Sequence, residues 1–186
     1  MAKVFRAAEM MSEDVQSYVI SCQYQANSVD APIEDGAFVK LGELKDDKTY
    51  VAAGDKDYNV YLAAAPTAVT DEVVVIDYPG VSEGAISGNS YRIGVKLFDL
   101  VAPAGRPVRA RRLALHDRFW LGKGNFNGAV VVGNIAVLEA NKTTLKDSGV
   151  QTIVEGQLNV KIHLGKDFNY GQSANGKLYL CEVVGL

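Results

Sequence analysis

The chain has 186 residues, 48% of them hydrophobic and 22% charged, which predicts an ordinary globular protein long enough to bury an apolar core. Its formal net charge of −3 argues against nucleic-acid binding, where a basic excess is the rule. No window approaches the roughly 18 apolar residues of a membrane-spanning helix, and "MAKVFRAAEMM" lacks the apolar stretch and cleavage site of a secretory signal, so synthesis in a cytoplasm without export is expected.

Taken in chain order, Met1–Asp14 carries too little apolar surface to fold alone and reads as an N-terminal arm ordered on assembly. From there the β signal dominates. Valine occurs 24 times, and β-branched and aromatic residues collect in short runs bounded by Gly, Asp, Asn and Pro. Strands are predicted at Val15–Tyr24, Ala37–Leu44, Lys48–Ala53, Tyr58–Ala64, Glu72–Tyr78, Ser90–Phe98, Val108–Leu115, Ala129–Glu139, Gln151–Leu164 and Lys177–Val184. Asn175-Gly176 reads as the two-residue turn of a hairpin. The expected fold is all-β: an antiparallel barrel or sandwich-like body, an extended N-terminal arm and little helix. Residues 1–28 form the arm and first strand, 29–80 a first β module and 88–186 a second, with the soft boundary at Pro79–Asn89; one continuous β domain fits equally.

Motifs that could carry chemistry each meet a physical objection. Gly122–Gly128, "GKGNFNG", has one residue too many for a dinucleotide loop and leads into a strand, where such loops need a helix N-terminus; a glycine-rich hairpin is expected. His116 and Asp117 are adjacent, so on a strand they point to opposite faces and Asp117 cannot orient the imidazole. His163 alternates with Val160 and Ile162 as a strand residue would, and both histidines are expected to be structural. Gly84–Gly88 resembles a nucleophile elbow only loosely. Asp55, Asp57 and Asn59 open like a calcium loop, but Val60 replaces the glycine and Pro66 stands where the closing glutamate belongs. Cys22 and Cys181 lie in apolar alternating segments and read as buried free thiols. Asn141 opens a glycosylation sequon, which carries no weight without an export signal. No catalytic set, cofactor or metal site is expected.

One stretch stands apart. Arg106, Arg109, Arg111, Arg112 and Arg118 lie close to Trp120, the sole tryptophan. On a strand, Arg109 and Arg111 share a face and Arg112 takes the other. The run reads as a solvated edge strand or as a protein interface, in which arginine and tryptophan are enriched; a nucleic-acid groove ranks last.

"IEDGAFVKLGEL" (Ile33–Leu44) resembles the opening of auxiliary head proteins of tailed bacteriophages, with Asp35, Gly36, Val39 and Gly42 at matching places. "AGRPVRARRLALHDRFWL" (Ala104–Leu121) is similar to a strand–turn–strand of phage virion proteins, matched at Asp117 and Phe119. The resemblance implies a capsid decoration, or cement, protein. Such a protein is non-enzymatic, binds the outer capsid surface, bridges subunits of the major capsid protein and is itself often a homo-oligomer, such as a trimer. Phe5, Arg6, Arg109, Arg111 and Trp120 are the expected contact residues, chosen by residue type. The alternatives are another virion part, such as a head fibre base or tail component, and a small β-barrel hydrolase.

Overall fold

The computed structural model describes residues 3–11, 15, 18–45, 60–78, 101–169 and 175–186. The fold is all-β. Its strands run β1 (Phe5–Glu9), β2 (Val19–Ala26), β3 (Val29–Asp30), β4 (Ile33–Glu34), β5 (Phe38–Leu44), β6 (Val60–Ala64), β7 (Val74–Ile76), β8 (Val101–Ala102), β9 (Val108–Arg112), β10 (Arg118–Gly122), β11 (Phe126–Asn127), β12 (Ile135–Leu138), β13 (Leu145–Asp147), β14 (Asn159–Asn169) and β15 (Asn175–Gly185). Among the described residues no helix is long and apolar enough to cross a membrane.

Five strands close into a barrel. β2 runs parallel to β6; β5 joins β6 and β7 antiparallel, β9 joins β7, and β9 returns to β2. The remaining large sheet has the order β1-β10-β15-β14-β12-β13-β11 and is antiparallel except at β11–β13. The two are joined through side-chain alternation. Along β5 and β7, Val39, Val74 and Ile76 fill the barrel with Cys22, Val108 and Ala110. The intervening Phe38 and Val75 point the other way, into a second core with Phe5, Phe119, Leu121, Leu138, Val160, Ile162 and Val183. A strand with a period of two thus serves two cores at once.

The expected modules do not coincide with these sheets. β9, from the second module, completes the barrel, and β1, from the expected arm, is the edge strand of the seven-stranded sheet. β1 is no arm awaiting a partner: Val4, Phe5 and Met10 are buried. Asn175 and Gly176 are not a turn either, since they pair within β15 with Asn169 and Phe168 of β14. Predicted strands are trimmed where loops intervene: β12 starts only at Ile135, after Gly133 takes φ 96°. The predicted strands Lys48–Ala53 and Ser90–Phe98, the calcium-like tip at Asp55–Asn59 and Gly84–Gly88 lie outside the described residues.

Candidate functional site

The basic run folds onto the barrel's outer wall and turns inward electrostatically. As parity requires, Arg109 and Arg111 leave the same face of β9. Their guanidinium groups donate to one oxygen of the buried Asp77, at 2.8 Å and 2.6 Å. The Asp77 backbone N–H donates in turn to the Arg109 carbonyl at 3.0 Å. Arg111 is buried, while the Arg109 side chain keeps 42% exposure. Arg112 pairs with Glu72 at 2.8 Å. Two arginines share one desolvated carboxylate and so anchor the segment after β7.

The other expected contact residues lie on the seven-stranded sheet. Arg6 and Trp120 are cross-strand partners, with Leu180 on the far side of Trp120. Arg6 donates to the Phe5 carbonyl at 2.6 Å and stands 3.5 Å from Asp35, and Trp120 is half-buried. Phe5 is a correction to the residue-type choice: it is fully buried against Phe119, ring centroids 5.5 Å apart, and presents nothing to a partner. An aromatic residue on an alternating strand reaches the core when its strand finds a sheet, and β1 finds β10.

Why β1 docks is visible in the stretch that carried the family resemblance. Asp35 accepts the backbone N–H of Phe5 at 2.9 Å and that of Tyr78 at 3.0 Å. Its own carbonyl accepts from Asn125, whose side-chain oxygen accepts the Val4 N–H, each at 2.8 Å. Gly36 has φ +72°, and a Cβ there would lie 2.5 Å from the Asn125 side-chain nitrogen, so only glycine fits. Val39 fills the barrel. Burial pushes the Asp35 carboxyl up to about 6, against the opposing pull of the Phe5 and Tyr78 N–H groups. The Gly122–Gly128 stretch is not a hairpin: it contains a single 3₁₀ turn at Lys123–Asn125, and that turn delivers Asn125 to this junction.

The histidines converge on a residue that sequence reasoning missed. His116 has φ 72° in the β9–β10 turn, and its Nδ1 lies 3.0 Å from one Glu182 oxygen. His163 Nε2 lies 2.6 Å from the other, and Arg118 stands 3.5 Å away. Hydrogen bonds from His116 and then His163 hold the Glu182 carboxyl below the usual glutamate range. Asp117 plays no part in this: its oxygens accept the Ala114 and Met11 N–H groups at 2.8 Å and 2.7 Å. Among the described residues no group of three His, Cys, Asp or Glu is arranged to hold a metal ion. Both cysteines are free and buried, and burial pushes their thiols up, away from the reactive thiolate.

Among the described residues, part of the exposed surface is aliphatic. Val131, Val132, Val150, Ile153 and Val154 are 44–54% exposed on the loops before β12 and β14. These loops are not loose. Asp147 accepts Val131 N–H at 2.8 Å, Gly149 N–H at 2.8 Å and the Asn134 amide at 3.0 Å. Ile135 N–H donates to the Val150 carbonyl at 2.8 Å, joining the two loops. The buried Asn159 both accepts from Val154 N–H, at 2.9 Å, and donates to its carbonyl, at 2.7 Å. The segments Ala129–Asn134 and Ser148–Val154 contain no charged residue. Both loops thus carry exposed aliphatic side chains on a backbone that is braced by hydrogen bonds and free of charge. The only sequence signal was their valine content, which equally suited strands.

No family model matches the chain, and no curated protein or solved structure matches it.

Proposed function

We propose that this protein is a non-enzymatic adhesion module of a tailed-bacteriophage virion, decorating the outer capsid surface and bridging subunits of the major capsid protein. The observation that carries the reading is the braced aliphatic face of Val131, Val132, Val150, Ile153 and Val154. The resemblance of Ile33–Leu44 to auxiliary head proteins supplies the setting. Adhesion runs through this face, with Trp120 and Arg6 on the sheet as a second contact; the docked β1 is part of the body. Individually modest contacts hold when many copies engage a lattice.

The test is saturable binding to heads that lack the protein. Wild-type chain is expected to bind in regular stoichiometry at the head surface. Ile153→Asp, at a position already exposed, is expected to change folding stability by less than about 0.5 kcal/mol and to weaken head binding at least tenfold, since a desolvated unpaired carboxylate costs more than about 1.4 kcal/mol. Wild-type protein that ignores heads but binds tails would assign it to the tail.

A further inference from the structure

β14 is longer than the cover it receives. β12 pairs with it only over Asn159–Lys161. The last bonds on that edge run from Gly133 N–H to the Ile162 carbonyl at 2.7 Å and from Ile162 N–H to the Asn134 carbonyl at 3.0 Å. From Leu164 to Asn169 the strand pairs with β15 alone, and no other described strand meets its outer edge. We propose that this edge takes up an extended segment of the capsid shell as an added strand. Such strand addition rests on the adhesion reading and deepens it.

The register decides which backbone groups face outward. Ile162 turns its N–H and carbonyl towards β12. The bulge between Ile162 and Leu164 sets His163 and Leu164 together opposite Leu180, so alternation resumes with Gly165 and Asp167 facing out. Leu164, Gly165, Lys166 and Asp167 are all exposed. An unpaired row of N–H and C=O groups is a template for a further strand, and backbone hydrogen bonds supply the adhesion.

Two observations select the occupant. The first is continuity with the aliphatic face. Gly133, where the cover of β14 ends, directly follows Val131 and Val132, so a segment laid along the open edge runs onto those side chains. The second is the side-chain row that a new strand extends. Arg6, Trp120, Leu180 and Leu164 are successive cross-strand partners on β1, β10, β15 and β14, and Leu164 ends the row 42% exposed. An aliphatic residue opposite Leu164 continues this row. An acidic residue two places along meets Lys166, which makes no ion pair among the described residues. A second copy of this chain fits worse. Antiparallel self-pairing that engages both Gly165 and Asp167 opposes either Lys166 to Lys166 or Asp167 to Asp167, and like charges facing each other are unfavourable.

The probe is heads that lack the protein, and the readouts are hydrogen exchange by mass spectrometry and head binding by two variants of the full chain. The Gly165 and Asp167 amides are expected to exchange fast in the free chain and to become protected on heads. Asp167→Pro removes an outward N–H and no bond to β15, a position where an edge strand tolerates proline, so its urea midpoint is expected to match wild type. Its head binding is expected to weaken roughly tenfold or more, because the ring also keeps a new strand from closing on the edge. Asp167→Ala keeps the N–H and is expected to bind as wild type does. Wild-type chain that saturates heads with both amides still exchanging fast, or Asp167→Pro that binds as wild type does, overturns strand addition and leaves the adhesion reading standing. Wild-type chain that ignores heads removes both. Protection of these amides without heads, together with a doubled mass in sedimentation, makes a second copy the occupant and also overturns the proposal.

Discussion

The carboxylate of Asp35 sits without solvent contact between two backbone N–H donors, from Phe5 and Tyr78. Asp35→Ala leaves both unsatisfied, at about 1–3 kcal/mol each, so a loss of about 2–6 kcal/mol is expected in urea unfolding. The pH dependence follows from the direction of its shift. Burial raises the folded-state pKa to about 6, while the unfolded chain releases this proton near pH 4. Between these values the folded state binds more protons, so the contribution is fully present below about pH 4 and is lost as pH rises through about 6. Asp35→Asn, which retains one acceptor oxygen, is expected to remove this slope from urea midpoints measured across that window.

At the level of elements, β1 and the Glu182 cluster show what local pattern conceals. Phe5–Glu9 is short and its partner β10 begins at Arg118, so nothing near it in sequence announces a strand. Its reading as an arm was a reasonable inference from composition and failed because pairing is non-local. Phe5→Ala is expected to cost about 3–5 kcal/mol, measured by thermal or urea unfolding; an unchanged stability would restore the picture of a detached arm. His116, His163 and Glu182 likewise come from a turn, a bulged stretch of β14 and β15. Alternation gives each residue a face but cannot say that three faces meet. Around Glu182 stand Arg118 on β10, with Glu9 of β1 behind it at 3.1 Å, and Lys161 on β14 in cross-strand register. The Glu182 carboxyl is held below its usual range, so its stabilising contribution is present above the unfolded glutamate pKa and fades as pH falls through the folded value. The stability gap between wild type and Glu182→Gln is therefore expected at neutral pH and should close in acid, opposite in sign to the Asp35 effect.

For the whole molecule, fold class was legible because valine-rich alternation and turn residues are local signals, and most predicted strands overlap observed ones. The face shared by Arg109 and Arg111 was legible for the same reason; their common partner Asp77 was not, since it lies 32 and 34 positions earlier in the chain. The aliphatic face was hidden because valine has the same signature in a strand and on a braced loop. The modules were misplaced because a barrel closed by β9 draws its last stave from beyond the apparent linker. β5 and β7 form a party wall whose opposite sides belong to different rooms. Neither room can be emptied while the other stands, so calorimetry is expected to record a single endotherm with equal van't Hoff and calorimetric enthalpies.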